Sequence, residues 1–169
     1  QAVIGDGHRY GIHVDYTREA TPMGTAGALH LIPTPQPDDQ ILVINGDTFT
    51  DFNFSDAFDE MDRTLADAVV VSVRKSIQMS LGVLDSDTDG RLLAYSEKPT
   101  FEFLASTGIN VLRGSVIANL EPRQIDMPDL LREIQARGGR VQCLEAACTW
   151  FDLGTPEDLD NANDLFSNE

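Results

Sequence analysis

Cations, cysteines and long apolar runs are all scarce in this chain, and each scarcity excludes something. Only 12 of its 169 residues are Lys or Arg, against 28 Asp and Glu, for a formal charge of -16. A nucleic-acid backbone or an anionic lipid surface would be repelled by such a molecule, so neither is expected as a partner. The two cysteines, Cys143 and Cys148, lie five positions apart, which fits neither zinc nor redox spacing and speaks against a disulfide framework. No apolar stretch approaches the roughly 18 residues of a membrane span, and no basic segment leads into a hydrophobic one at the start. A cytoplasmic protein is the simplest reading. His8, His13 and His30 stand in no recognisable catalytic spacing, and there is no internal repeat or low-complexity segment. A chain of this length holds one core that buries about two thirds of the unfolded surface, so a single domain over residues 1–169 is expected.

What is present is an alternation of strand-like and helix-like segments. Residues 11–16 alternate apolar and polar, and residues 40–45 are almost wholly apolar, as in a strand covered on both faces. Between them Gly24-Thr25-Ala26-Gly27-Ala28-Leu29 opens a helix that Pro33, Pro35 and Pro37 close. Ser55 is expected to cap a second helix with Phe54, Phe58, Met61 and Leu65 on one face, and its acidic run (Asp56, Asp59, Glu60, Asp62) on the solvated side. Residues 68–73 read as a buried strand. Residues 81–84 and 92–96 read as a hairpin around Asp89-Gly90, and 107–112 as a further strand. Pro128 starts a helix over 129–137 that Gly138 and Gly139 end. A last helix is expected from the Thr155 cap and Pro156, with Asp158 completing the cap and Leu159, Ala162 and Phe166 as its apolar side. This pattern implies an α/β layer structure with a mostly parallel sheet and a small antiparallel addition toward one edge. Ligands in such folds gather at the carboxyl ends of strands.

Two aspartates follow apolar segments there: Asp47 in Leu42-Val43-Ile44-Asn45-Gly46-Asp47 and Asp152 in Trp150-Phe151-Asp152-Leu153-Gly154-Thr155. They bracket Glu97-Lys98-Pro99. A hard cation such as Mg²⁺ takes one or two carboxylates plus substrate phosphates, and a lysine supplies a point charge for a further phosphate. Together these residues read as a metal and phosphate site.

The chain resembles the sugar-1-phosphate nucleotidylyltransferase family. The resemblance rests on Asp6-Gly7 with Gly11-Ile12, Glu19 with Pro22-Met23-Gly24-Thr25-Ala26-Gly27, Gly46-Asp47, Gly82-Val83, Glu97-Lys98-Pro99 and Trp150 to Thr155, in that order. It implies a Rossmann-like nucleotidyltransferase fold with helices on both faces of the sheet. It also implies transfer of a nucleoside monophosphate from a nucleoside triphosphate to a sugar 1-phosphate, releasing pyrophosphate. On that resemblance Asp47 and Asp152 hold Mg²⁺, Lys98 meets the sugar phosphate and Glu97 the sugar hydroxyls. Gly82 lets the backbone approach the sugar, and Gly24 and Thr25 belong to the nucleobase pocket. Ser106 and Gly108 stand in Ser106-Thr107-Gly108, where the family often has Asn-Ala-Gly with the Asn on the sugar, and Leu81 replaces a commoner aromatic. The Glu19 and Gly24 pattern is nearer to guanylyl- and thymidylyl-transferring members. The family's N-terminal strand and its glycine-rich loop, with an Arg and then Pro-Lys, have no counterpart in the chain. The resemblance therefore implies a C-terminal portion of the family fold. Little turnover is expected from the 169 residues alone, and exposed strand edges would need another chain, a homo-oligomer among the options.

Each residue also has an ordinary reading. Gly46-Asp47 suits a turn, Glu97-Lys98 an exposed ion pair before a proline, Asp152 a position ahead of a helix cap, and Gly24 to Gly27 close packing at a helix start, though that geometry would also let backbone N–H groups face a nucleotide. Trp150 reads as core. A silent sugar-nucleotide-binding or regulatory subunit is the competing function, and a structural fragment without ligand a third.

Overall fold

The computed structural model describes residues 3–154. Within them, in chain order, lie α1 (Gly24–Gly27), β1 (Gln40–Ile44), β2 (Thr48–Thr50), α2 (Phe54–Thr64), β3 (Ala68–Gln78), β4 (Val83–Ser86), β5 (Leu92–Ser96), β6 (Thr100–Arg113), α3 (Gly114–Ala118), α4 (Met127–Ala136), β7 (Val141–Glu145) and β8 (Trp150–Asp152), with 3-10 turns at His8–Tyr10 and Ala28–Leu31. The helix expected from Thr155 onward lies outside the described residues. Two compact units are formed: Gln1–Ile41, Leu65–Ala68 and Leu112–Val141 make the first, and Leu42–Thr64, Val69–Val111 and Gln142–Glu169 the second.

The main sheet has the order β1-β6-β3-β7, and its hydrogen bonds give the directions. Asn45 N–H donates to Gly108 O (3.1 Å) and Gly114 N–H to Asp39 O (2.7 Å), so β6 opposes β1. Arg113 N–H to Asp67 O and Met79 N–H to Pro99 O, both 2.9 Å, oppose β6 to β3. Ala68 N–H to Arg140 O (3.2 Å) and Ala146 N–H to Ser72 O (2.8 Å) run β7 alongside β3 in the same sense. Three strands therefore share one direction, as an α/β sheet should, and the reversed strand β6 sits in the interior. The expected hairpin forms, but as a separate two-stranded sheet of β4 and β5, and β2 pairs with β8 in another.

β3 begins Ala68-Val69-Val70-Val71-Ser72-Val73, all buried, and turns exposed from Arg74 onward. The β-branched run suits a strand buried on both faces, and each such side chain removed from water contributes roughly 1.5–3 kcal/mol. β6 shows the mirror image, exposed at its start and buried from Thr107 on except at Gly108 and Arg113. Two polar residues in this core are hydrogen-bonded, Ser72 Oγ donating to Leu144 O (3.1 Å) and Thr107 Oγ1 to Val71 O (2.8 Å), whereas the buried Asn110 Oδ1 has no partner among the described residues. Arg74 grips Glu145 through two hydrogen bonds (2.7 and 2.6 Å), tying β3 to β7 on the surface.

The first unit is helical and joined across the sequence. Asp126, at the N-cap of α4, accepts the Thr25 N–H (2.9 Å) with its own Oδ1, while Thr25 Oγ1 accepts the Met127 N–H (2.8 Å). Two helix starts thus cap each other. Ala26, Met127, Leu130 and Ile134 are buried in this unit.

Three local expectations are corrected. Residues 11–16 form no strand: Ile12 and Tyr16 are exposed, and the described residues offer no strand beside them to take the backbone hydrogen bonds that alternation alone cannot supply. Asn53, not Ser55, caps α2, accepting the Ser55 N–H at Oδ1 (3.3 Å) and the Asp56 N–H at its carbonyl (3.0 Å). The buried face of α2 is Ala57, Met61 and Thr64, because the helix ends at Thr64 and Leu65 takes a left-handed φ of 52° that turns it 82% into solvent.

Leu65→Gly is expected to raise stability by about 0.5–1 kcal/mol, since glycine adopts that φ freely and no packing is lost; a lower urea midpoint would refute it. Arg74's hydrogen bonds, and then its charge, hold the Glu145 carboxyl below its ordinary value of 4.5. A carboxyl so depressed stabilises the fold above 4.5 and loses that contribution as pH falls through the lower folded value. Glu145→Gln should therefore flatten the acid-side decline of the thermal midpoint, and an unchanged decline would count against the pair.

Candidate active site

Turn chemistry brings the two aspartates to one place. After β1 the chain closes a turn with Thr48 N–H on Asn45 O (3.2 Å), leaving Asp47 exposed just ahead of β2. The β2·β8 register sets Thr48 opposite Asp152, Phe49 opposite Phe151 and Thr50 opposite Trp150. Leu153 N–H donates to Asp47 O (2.9 Å), and the Phe49 and Phe151 rings stack at 6.4 Å. Asp47 and Asp152 therefore flank the same end of one ladder, both exposed. Asp152 Oδ1 accepts the Gly154 N–H (3.1 Å). Behind them Trp150, half-buried, donates its indole N–H to Thr107 O (2.8 Å).

No group of three or more His, Cys, Asp or Glu suited to a metal occurs among the described residues. A closed zinc site is therefore not built there. Carboxylates such as those of Asp47 and Asp152 suit Mg²⁺, which completes its octahedron with waters and substrate phosphates.

Glu97 and Gly82 are also brought together. The β4·β5 register pairs Val83 with Ser96, so one step further Gly82 lies opposite Glu97. Tyr95 donates its phenol O–H to Glu97 Oε2 (2.8 Å), and a Cβ on Gly82 would fall 2.4 Å from that phenol oxygen and 3.2 Å from Glu97 Oε2. Lys98 follows with φ 45°, a region that side chains with a Cβ avoid and that the following Pro99 restricts further. Such strain marks functional segments more often than ordinary loops. Lys98 is exposed.

Ser106 is exposed on β6, and Gly108, at φ 76°, packs against the Asn45 side chain, whose Nδ2 would lie 2.5 Å from an added Cβ. Asn45 and Tyr95 are the residues missed from the sequence. Each stood two positions from a predicted site residue, so a period of two along the strand was the available signal.

Gly24 and Thr25 belong to the first unit, and one expectation about them is corrected. The N–H groups of Thr25, Ala26 and Gly27 do not face outward to a nucleotide, because Asp126 Oδ1 takes the first (2.9 Å) and Ile125 O the other two (3.1 Å each). Gly24 has φ 80° and no room for a Cβ, which would fall 2.6 Å from Ile125 O. A cavity of about 380 Å³ in the same unit contains none of the predicted site residues. Its arginines, Arg123 and Arg137, both bond the single carboxylate of Glu133 (2.6 and 3.2 Å).

The sequence profile of a family described as nucleotidyl transferase matches residues 1–169. The chain is 27% identical over 166 residues to the mannose-1-phosphate guanylyltransferase of Mycobacterium tuberculosis, covering 94% of this chain and 46% of that protein. It is 24% identical over 173 residues to the glucose-1-phosphate thymidylyltransferase of Streptomyces antibioticus, covering 95% and 48%. The chain thus spans about half the length of the curated relatives it matches. Among solved structures, a candidate glucose-1-phosphate thymidylyltransferase of Bacillus anthracis in complex with sucrose superposes with a TM-score of 0.70 at 24% identity, over 97% of this chain and 69% of that one. HddC from Yersinia pseudotuberculosis complexed with GMP-PN gives 0.62 at 20% identity, over 91% and 67%. At those identities the likeness is one of fold.

The Asn45 contact can be isolated by pairing two substitutions. Gly108→Ala and Gly90→Ala meet similar φ (76° and 80°), but only the first has a neighbour within 4 Å. Gly108→Ala is expected to cost about 1 kcal/mol more than Gly90→Ala in chemical unfolding. Equal costs would show that Asn45 does not hold Gly108.

Proposed function

The chain belongs to the nucleotidyl transferase family, and on that footing we propose that it transfers a nucleoside monophosphate from a nucleoside triphosphate to a sugar 1-phosphate. The observation that carries this is the pairing of Asp47 and Asp152 at one end of the β2·β8 ladder. These two carboxylates would hold Mg²⁺, and the bound metal would offset negative charge on the phosphates. The sugar phosphate is already an anion at neutral pH, so its oxygen attacks the α-phosphorus without a general base, and the bond to pyrophosphate breaks. What the protein supplies is positioning and charge. Lys98 neutralises the sugar phosphate, which matters in a chain of net charge -16. Glu97 accepts hydrogen bonds from sugar hydroxyls, with Gly82, Ser106 and Gly108 lining the approach. Gly24 and Thr25 contribute shape rather than N–H donors to the nucleobase pocket.

The names of the relatives support guanine or thymine as the base and a hexose 1-phosphate as the acceptor. The family match runs across both compact units, which supports treating residues 1–169 as one nucleotidyltransferase-like domain. No described helix is long and apolar enough to cross a membrane. The reading includes a cytoplasmic setting, no nucleic-acid partner and room for a homo-oligomer. A silent binding subunit would not need both aspartates, so their pairing favours an enzyme.

Asp47→Asn and Asp152→Asn are each expected to lower Mg²⁺-dependent pyrophosphate release by about 100-fold or more. Both carboxylates are exposed, so the unfolding free energy should stay within about 0.5 kcal/mol of wild type. Release that survives either substitution, or EDTA, would overturn the metal assignment.

A further inference from the structure

Glu97 does not stand alone on its strand face. Leu93 and Tyr95 on β5 and Glu97 just past its end fall on one side, because successive side chains alternate. With Gly82 opposite Glu97, Tyr95 becomes the diagonal neighbour of Gly82, within reach of an aromatic ring. The ring uses that reach: its phenol oxygen lies 2.8 Å from Glu97 Oε2 and lies where a Cβ on Gly82 would sit, 2.4 Å away. Glycine at 82 is what leaves the phenol this room. The bond also raises the Tyr95 pKa, through the Glu97 hydrogen bond first and burial second, as expected when a carboxylate accepts from the neutral phenol.

Resting on the reading of Glu97 as a sugar ligand, the geometry points to Tyr95 as a positioning residue that fixes the Glu97 carboxylate for sugar recognition. With Oε2 occupied by the phenol, Oε1 is the oxygen presented to a sugar hydroxyl. A glutamate on an exposed strand end otherwise samples several rotamers, and sugar binding would have to restrict them. The backbone on the far side is already restricted by the left-handed φ of Lys98 and by Met79 N–H on Pro99 O (2.9 Å). Tyr95 does for the Glu97 side chain what those contacts do for the main chain. It needs no contact with the reacting phosphates, so its influence falls on the sugar half of the ligand alone.

The test is calorimetric titration of GDP-mannose and dTDP-glucose with Mg²⁺ into wild type, Tyr95→Phe and Glu97→Gln, with GDP and dTDP as sugar-free controls. Tyr95→Phe keeps the ring and is 60% exposed in its native form, so the fold is retained. It should weaken the bound sugar nucleotide roughly five- to tenfold and leave the matching diphosphate unchanged. In an alkaline absorbance titration, the step that Tyr95→Phe removes should move to lower pH in Glu97→Gln, a readout independent of ligand. If Tyr95→Phe binds like wild type while Glu97→Gln binds weakly, the positioning role is wrong and Glu97 remains the sugar ligand. If Glu97→Gln binds like wild type, or wild type binds neither sugar nucleotide, the sugar reading falls and the role of Tyr95 with it.

Discussion

Hydrogen bonding along both edges of β6 sets the placement of the proposed site residues in the second unit. On one edge Gly108 O receives the Asn45 N–H, which fixes the turn that presents Asp47 two residues on. In the same stretch Thr107 O receives the indole N–H of Trp150, which anchors β8 two residues before Asp152. The strand also begins directly after Glu97, Lys98 and Pro99, with Pro99 O already bonded to Met79. The turn at Asp47, β8 with Asp152 and the segment 97–99 therefore take their positions from one strand. A shift of β6 by one residue would move every one of them, because register errors invert side-chain faces.

The same strand separates stability from chemistry. Its second half, with Ile109 and Val111, is buried against the Val-rich start of β3, and there side chains contribute through removal from water. Its first half, with the far end of β3 and the β4·β5 hairpin, is exposed and carries Ser106, Tyr95, Glu97 and Lys98. On the proposed reading, substitution in the exposed half would perturb recognition more than folding. That division lets a strained residue such as Lys98 persist: its unfavourable φ is offset by a core that does not include it.

Much of this was legible in the sequence where composition alone decides the outcome. Apolar runs of β-branched residues gave β1 and the start of β3, Asp-Gly marked the hairpin turn, and Pro with Gly-Gly bounded α4. What escaped depended on partners distant in sequence. Residues 11–16 have the right alternation but no neighbouring strand among the described residues, and Leu65 has helical spacing but falls one residue past the helix end. The N–H groups of Thr25 to Gly27 are taken by residues about 100 positions away, which no local pattern announces. Asn45 and Tyr95 escaped although each was close to a predicted site residue: Asn45 meets Gly108 across strands, and Tyr95 bonds Glu97 two residues on in the space that Gly82 leaves across the hairpin.

Trp150 carries one more consequence. It is the single tryptophan of the chain, and its indole is held by the Thr107 carbonyl, lies 5.6 Å beneath the Lys75 ammonium and stands two residues from Asp152. Indole emission responds to nearby charge and to the polarity around the ring. All tryptophan fluorescence of these 169 residues therefore originates at the base of the β2·β8 ladder, which gives them an optical reporter of that ladder with no dye attached.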